Sequence, residues 1–110
     1  MNCSELRGTQ LDVRVAQALG LTTFPSADGR NLLYDPGHGL PPRKWSPSRY
    51  WSQGGPIIED NKIELNWEWE GNDEWTATIA PDINAQGSSV LEAAMRAFVI
   101  ARIGATVPDN

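Results

Sequence analysis

The sequence predicts an α+β fold in which two helices pack on one face of a three-stranded antiparallel sheet, in the order α-β-β-β-α. Two segments support this prediction: residues 63–70 alternate apolar and polar side chains without exception, and residues 90–103 are apolar almost all round a helix. Strict alternation places every apolar side chain of a strand on one face, whereas a helix would scatter them. The 110 residues suit a single domain, 1–110, with one core.

The first helix is predicted over about residues 9–19. Thr9 stands three residues before Asp12, and a hydroxyl at this distance from a carboxylate is typical of a helix start. Gly20 favours a left-handed end to the helix. Asp12 is expected to face water together with Arg14 and Gln17. The apolar stripe consists of Leu11, Val15, Ala18 and Leu19.

Residues 21–54 predict a long proline-rich loop, because prolines and glycines interrupt every regular pattern there. A loop of this length is unusual inside a compact domain, and residues 31–34 are the best place for a missed strand. Its aromatic content predicts that the loop packs on the domain. The prolines lie at positions 25, 36, 41, 42 and 47.

The three strands are predicted over about residues 56–59, 63–70 and 74–80, joined by short polar turns. The apolar side chains of the second strand should form the covered inner face, with both of its tryptophans buried. These side chains are Ile63, Leu65, Trp67 and Trp69.

The last helix is predicted over about residues 90–103. Ser89 and Glu92 form a second capping pattern at its start, and Gly104 ends it. A helix that is apolar on nearly every side is normally a core element, so it should lie on the sheet. Its narrow polar stripe consists of Glu92, Arg96 and Arg102.

The net charge of -5 hides two regions of opposite sign. Residues 30–49 are rich in arginine and lysine, whereas residues 59–74 are rich in aspartate and glutamate, which predicts a cationic loop and an anionic sheet face. The total charge disfavours long-range attraction to nucleic acid. No apolar run approaches the roughly 20 residues that a membrane span requires. A single cysteine, Cys3, and the lack of a secretion signal favour a reducing cytoplasm.

Few residues suggest enzyme chemistry. His38 lies between two glycines with no evident partner, and a dyad with Cys3 would require the fold to bring the two together. Glu64, Glu68 and Glu70 share one sheet face and could in principle hold a hard cation. A solvated face is the favoured explanation, because alternate carboxylates on a strand lie too far apart to chelate an ion without another element. The sequence therefore predicts no catalytic residues, no metal and no cofactor.

The loop before the sheet is a more specific candidate, because basic and aromatic residues interleave in it. Aromatic faces stack on bases, and guanidinium or ammonium groups contact phosphates. The same residue types dominate protein interfaces. The simpler explanation, which the sequence favours, is that the aromatic side chains clamp the loop on the core while the charges face water. The predicted binding residues are Arg43, Lys44, Trp45, Arg49, Tyr50, Trp51, Gln53, Gly54 and Gly55.

Several segments carry a family resemblance, namely Leu11-Asp12, Ser46-Pro47-Ser48, Trp51-Ser52-Gln53-Gly54-Gly55-Pro56-Ile57-Ile58-Glu59 and Ala93-Ala94-Met95-Arg96-Ala97-Phe98-Val99. Through them the chain resembles the small NinX-like proteins of phages and prophages. Arg49-Tyr50 stands where that family would lead us to expect a Thr-Asp pair. The resemblance implies a phage-encoded accessory protein in the bacterial host cytoplasm, and it brings no catalytic residues with it.

Three functions stay open at this point. The first is a non-enzymatic accessory protein that binds a host or anti-phage defence component through the basic and aromatic loop. The second is a sponge that sequesters a nucleotide second messenger, with Arg43, Lys44 and Arg49 on phosphate and Tyr50 or Trp51 on the base. The third is a small hydrolase that uses His38 or the carboxylates. A homo-oligomer is compatible with each of them.

Overall fold

The computed structural model of the chain describes residues 2–68 and 74–107, and it is an α+β fold. Its described part contains two antiparallel sheets of three strands, with strand orders β1-β2-β3 and β4-β5-β6. The α+β class is confirmed, but the prediction of one sheet with two helices is wrong. The helices are α1 (Gly8–Leu19), α2 (Trp51–Asp60) and α3 (Val90–Arg102). The strands are β1 (Thr23–Pro25), β2 (Leu32–Tyr34), β3 (Arg43–Lys44), β4 (Glu64–Glu68), β5 (Glu74–Ile79) and β6 (Ile83–Gly87).

Helix α3 is the centre of the molecule, as its all-round apolar surface predicts. It packs against β5 and β6 on one side and against α1 and α2 elsewhere, so nearly its whole circumference is buried. Ser89 caps it, because its hydroxyl accepts a hydrogen bond of 3.1 Å from the Glu92 amide. The two helices were expected to lie together on the sheet; instead, α1 packs on α3. Within the described residues, no helix combines the length and the apolar character needed to cross a bilayer.

The sheet β4-β5-β6 presents its apolar face to α3. Leu65 pairs with Ala77, and Ala77 is fully buried beneath the helix. At Gly87 the helix comes so close that an added Cβ would lie 2.6 Å from the Ala93 amide nitrogen. The backbone of β6 therefore needs a glycine at this contact.

The inner face is less covered at one end than the sequence predicts. Trp67 pairs with Trp75, and the two rings meet edge to face with their centroids 5.3 Å apart. Yet Trp67 keeps 41% of its surface exposed, so the prediction that it is buried is wrong. Trp69 and Glu70 fall outside the described residues. The tryptophan end of this sheet extends past the cover that α3 supplies.

The prediction of a strand over residues 56–59 is wrong, because these residues belong to helix α2. Gly54, Gly55 and Pro56 all disfavour a helix interior, and proline also removes one backbone hydrogen bond. Packing outweighs these preferences, since Ile57 is buried in the core. The third strand of the sheet is β6, which pairs antiparallel with β5.

The prediction of a loop over residues 21–54 is also wrong in part. The segment does pack on the domain, but it contains the sheet β1-β2-β3, and its last residues open α2. The strand suspected at residues 31–34 is present as β2. Trp45 follows β3 into the core, where it is only 6% exposed and meets the ring of Tyr34 edge to face at 5.0 Å.

The limits of α1 are confirmed, and Gly20 ends it with a φ of 76°. Thr9 is not its cap: Arg7 occupies that position without a side-chain hydrogen bond. The prediction that Asp12 faces water is wrong, because its side chain is buried at 3% exposure. The reason lies in the segment that packs against it.

Arg96 of α3 is likewise buried, although it belongs to the polar stripe of that helix. Its Nε donates to the Leu6 carbonyl oxygen and its Nη1 to the Gln86 carbonyl oxygen, both at 2.7 Å. The guanidinium group thus ties the N-terminal segment to strand β6 through satisfied hydrogen bonds.

Candidate functional site

The 45–50 loop, which joins β3 to α2, is fixed by Asp12 of α1. The Asp12 carboxylate accepts a hydrogen bond from the Ser48 amide at 2.9 Å and one from the Ser46 hydroxyl at 3.2 Å. The Asp12 carbonyl oxygen accepts a third from the Trp45 indole N–H at 2.8 Å. A single helical residue therefore holds the loop at three points.

Burial raises the pKa of the Asp12 carboxyl above its ordinary value of 3.8. The hydrogen bonds from Ser48 and Ser46 oppose this shift, and so does the positive charge of Arg49. The hydrogen bonds and the charge of Arg49 thus favour the carboxylate anion, whereas burial disfavours it.

Helix α2 holds the same loop from the other side through Gln53. The Gln53 side chain accepts from the Ser46 amide at 2.7 Å and donates to the Lys44 carbonyl oxygen at 2.6 Å. Gly54 lies against the loop so closely that a Cβ there would be 2.5 Å from the Pro47 carbonyl oxygen. Of the predicted binding residues, Trp45, Gln53 and Gly54 therefore contact the protein itself and set the shape of the loop.

A cleft of about 60 Å³, here called the cationic cleft, opens beside this loop. Arg30, Lys44 and Arg49 reach it from three separate segments and place three positive charges around one small volume. Its inner end is formed by buried residues, since Asp12 and Trp45 both line it. The complete lining is Thr9, Asp12, Arg30, Asn31, Leu32, Lys44, Trp45, Ser46, Arg49 and Tyr50.

Arg30 is the one cation of this cleft that is absent from the predicted binding residues. It precedes the aromatic cluster by more than a dozen positions, but the pairing of β2 with β3 brings it back. Leu33 is paired with Lys44, and the Trp45 amide donates to the Leu32 carbonyl oxygen at 2.9 Å. Two signals in the sequence point to Arg30: it belongs to the cationic loop predicted over residues 30–49, and it precedes the strand suspected at residues 31–34.

Two helix N-termini also border the cationic cleft. Thr9 lies in the first turn of α1, and Tyr50 is the residue that precedes α2. Neither helix has a side-chain cap or an acidic residue in its first turn. Uncapped N-termini offer free amides and the positive end of the helix dipole, both of which favour an anion.

A second and larger cleft of about 500 Å³, here called the tryptophan cleft, adjoins the first. Trp51, which is 57% exposed, and Trp75 of β5 both line it. Arg49 lines both clefts and so marks their common border. The complete lining is Ser48, Arg49, Trp51, Trp75, Ser88, Ser89, Val90 and Leu91.

The chain matches the sequence profile of a family described as Bacteriophage P22, NinX, over residues 2–102. It belongs to this phage family. The resemblance noted in the sequence is thereby confirmed, and the match covers every residue that lines the two clefts. A comparison with curated proteins finds no match.

The remaining candidate residues of this NinX family member lie elsewhere. Arg43 is exposed on β3 and lines neither cleft, and Gly55 is half-buried beside the ring of Trp51. His38 is exposed on a turn with a φ of 56°. Cys3 is buried in the core, and burial raises the pKa of its thiol, which disfavours a nucleophilic thiolate.

The acidic residues of this NinX family member form no evident metal site in the part of the chain that the structure describes. Residues 2–68 and 74–107 contain no group of three or more His, Cys, Asp or Glu side chains arranged to hold a metal ion. Glu64 and Glu68 are exposed along β4, in keeping with a solvated face. Glu70 lies outside the described residues.

Proposed function

We propose that this phage accessory protein acts by binding, and that it sequesters a small nucleotide in the cytoplasm of the bacterial host. The phosphate end lies in the cationic cleft and the base lies on Trp51 in the tryptophan cleft. The observation that carries this proposal is the position of Arg49, which lines both clefts and therefore joins a site for negative charge to a site for an aromatic ring.

The sizes of the two clefts support a ligand with two unlike ends. Pockets for small organic ligands usually measure about 300 to 1,000 Å³. At about 60 Å³ the cationic cleft can admit only one end group, whereas the tryptophan cleft, at about 500 Å³, can hold a ring system. Stacking of a base on an aromatic side chain contributes about 1 to 3 kcal/mol.

The charge distribution supports a small ligand over a long nucleic acid. The protein carries a net charge of -5, so a polyanion that extended over its surface would be repelled. The cations Arg30, Lys44 and Arg49 are concentrated at one cleft. A ligand whose phosphate end lies in that cleft gains their attraction without extending over the acidic sheet face.

The site is also organised before any ligand arrives. Asp12 and Gln53 fix the 45–50 loop through hydrogen bonds between 2.6 and 3.2 Å, so Arg49 and Tyr50 project from a fixed backbone. A preformed loop avoids part of the ordering cost that binding otherwise carries. This arrangement favours tight binding of the ligand.

Calorimetric titration of the protein with AMP, ADP, ATP and GMP tests the proposal, with tryptophan fluorescence as a second signal. We expect saturable binding at one site per chain. Arg49→Ala and Trp51→Ala should each weaken it by about tenfold or more, since each removes one of the two kinds of contact. Arg43→Ala, a neighbouring exposed arginine, and Phe24→Ala, an exposed aromatic, are the matched controls and should bind as the wild type does. Saturable binding of none of the four nucleotides would refute the proposal.

A second candidate function is the capture of a host or anti-phage defence protein. It is favoured by the exposure of Tyr50, Trp51 and Trp67, at 43%, 57% and 41%, because tryptophan, tyrosine and arginine dominate interface energetics. If nucleotides do not bind, affinity capture from infected-cell lysate with wild-type protein and Trp51→Ala should retain one protein that the variant loses. Size-exclusion chromatography would show whether that partner is a second copy of the chain.

A further inference from the structure

The lining of the cationic cleft combines buried and exposed residues. Asp12 and Trp45, at its inner end, are 3% and 6% exposed, whereas Arg30, Lys44 and Arg49, which also line it, are exposed. A group must therefore enter from the open side and stop inside. The phosphorus atom of a phosphodiester carries carbon substituents through two of its oxygens, so its sugar atoms would enter with it on both sides. A terminal phosphate is substituted through one oxygen only, and its three other oxygens can enter first.

The charges of the cleft suit a group that carries nearly two negative charges. Three cationic side chains line it against the single carboxyl of Asp12. A phosphomonoester carries about -1.5 to -2 at pH 7. A phosphodiester carries only one negative charge and leaves more of the positive charge of the cleft uncompensated.

The N–H and O–H donors around the cleft also outnumber the two unsubstituted oxygens of a phosphodiester. Arg30 and Arg49 each present a planar fork of N–H groups that suits two phosphate oxygens at once. Lys44 and the Thr9 hydroxyl add further donors, and the uncapped start of α1 adds the positive end of a helix dipole. Three free oxygens on one phosphorus atom can accept from more of these donors than the two free oxygens of a phosphodiester can.

We infer that the cationic cleft selects a terminal phosphate, so that the ligand is a linear nucleoside mono-, di- or triphosphate and not a cyclic nucleotide. This inference rests on the proposed nucleotide-binding function and narrows it. It assigns Arg30, from the turn before β2, to recognition of the terminal phosphate, and it leaves the base to Trp51.

The test compares AMP, 3′,5′-cyclic AMP and adenosine by calorimetry on the full chain at about pH 7. AMP should bind about tenfold or more tightly than the cyclic nucleotide, which lacks a terminal phosphate, and adenosine should bind more weakly than AMP. Inorganic phosphate should compete with AMP. Equal affinity for AMP and cyclic AMP would overturn the inference and leave the proposed function intact, whereas failure of every nucleotide would remove both.

A variant of Arg30 separates recognition of the terminal phosphate from general weakening. Arg30→Ala should reduce the preference for AMP over cyclic AMP while the affinity for adenosine stays unchanged, because Arg30 lines the cationic cleft and not the tryptophan cleft. Arg43→Ala should change none of the three affinities. Trp51→Ala should weaken AMP and adenosine by the same factor. An Arg30→Ala protein that still prefers AMP as strongly as the wild type does would count against the inference.

Discussion

The two sheets of this protein are held in place by different forces. The strands of β4-β5-β6 are five or six residues long, and α3 covers their apolar face. The strands of β1-β2-β3 are two or three residues long, and none of their residues is fully buried. Helices fasten this second sheet through Trp45 and through the hydrogen bonds of Asp12 and Gln53. Apolar area fixes the first region, whereas the second, which contributes the cations of the candidate site, depends on one buried tryptophan and a few polar contacts.

Loss of packing in the first region should have the largest effect on stability. Phe98 lies on α3 and is the largest fully buried side chain among residues 2–68 and 74–107. Phe98→Ala should lower the free energy of unfolding by about 3 to 5 kcal/mol, because it removes apolar contact and leaves a cavity. Denaturant unfolding measured by circular dichroism gives the value. Ile103→Ala, at 41% exposure just past the helix, should cost far less; equal losses would mean that α3 is not the centre of the core.

The contact between α2 and the 45–50 loop can be disturbed by a single methyl group. Gly54→Ala should lower the free energy of unfolding by about 1 to 3 kcal/mol, since the new Cβ would lie 2.5 Å from the Pro47 carbonyl oxygen. It should also weaken AMP binding, because the loop carries Arg49. Denaturant unfolding and calorimetry measure the two effects.

Gly55→Ala is the matched control for Gly54→Ala. Its Cβ would meet nothing closer than the Trp51 ring at 3.9 Å. Alanine is favoured over glycine inside a helix by up to about 1 kcal/mol, so this variant should be as stable as the wild type or more stable. If both variants lose the same stability, the close approach of Gly54 to the 45–50 loop does not hold that loop in place.

The contrast between the two sheets also explains which helices and strands the sequence predicts. Period-two alternation predicts β4 and β5, and the all-round apolar pattern predicts α3, because burial in apolar contacts leaves a periodic trace. Helix α2 leaves none: Gly54, Gly55 and Pro56 argue against a helix, and only tertiary packing of Ile57 overrides them. Strand β6 is missed because Ile83-Asn84-Ala85-Gln86-Gly87 is poor in strand formers.

The candidate site is predicted in part for the same reason. Lys44, Arg49, Tyr50 and Trp51 are close in sequence, so local composition suffices to find them. Arg30 and Trp75 reach the clefts through strand pairing and helix packing, which no local pattern records. Asp12 resembles a solvated helix residue until Ser46 and Ser48 are seen to cover it. Polar contacts between distant segments depend on the fold and not on a periodicity.

The smallest expected effect concerns the charge of Asp12. Because its pKa is raised in the folded protein, the folded state binds a proton more tightly than the unfolded chain does. The stability that this proton contributes is fully present below the ordinary value of 3.8 and is lost as the pH rises through the raised value. Asp12→Asn keeps a side-chain oxygen as acceptor for the Ser48 amide but cannot titrate. The unfolding free energy of Asp12→Asn relative to the wild type should therefore increase between pH 3.8 and the raised pKa and stay constant at higher pH.

Denaturant unfolding of both proteins across this pH range measures the difference, and subtraction removes the titration of all other carboxyls. Asp28→Asn is the control with the opposite sign. Hydrogen bonds from the Ser26 hydroxyl and the Arg30 amide lower the pKa of Asp28. The wild type should therefore gain stability relative to Asp28→Asn as the pH rises. If instead the unfolding free energy of Asp12→Asn minus that of the wild type increases as the pH falls, the hydrogen bonds of Asp12 outweigh its burial. The 45–50 loop would then be held by hydrogen bonds that favour the ionised carboxylate.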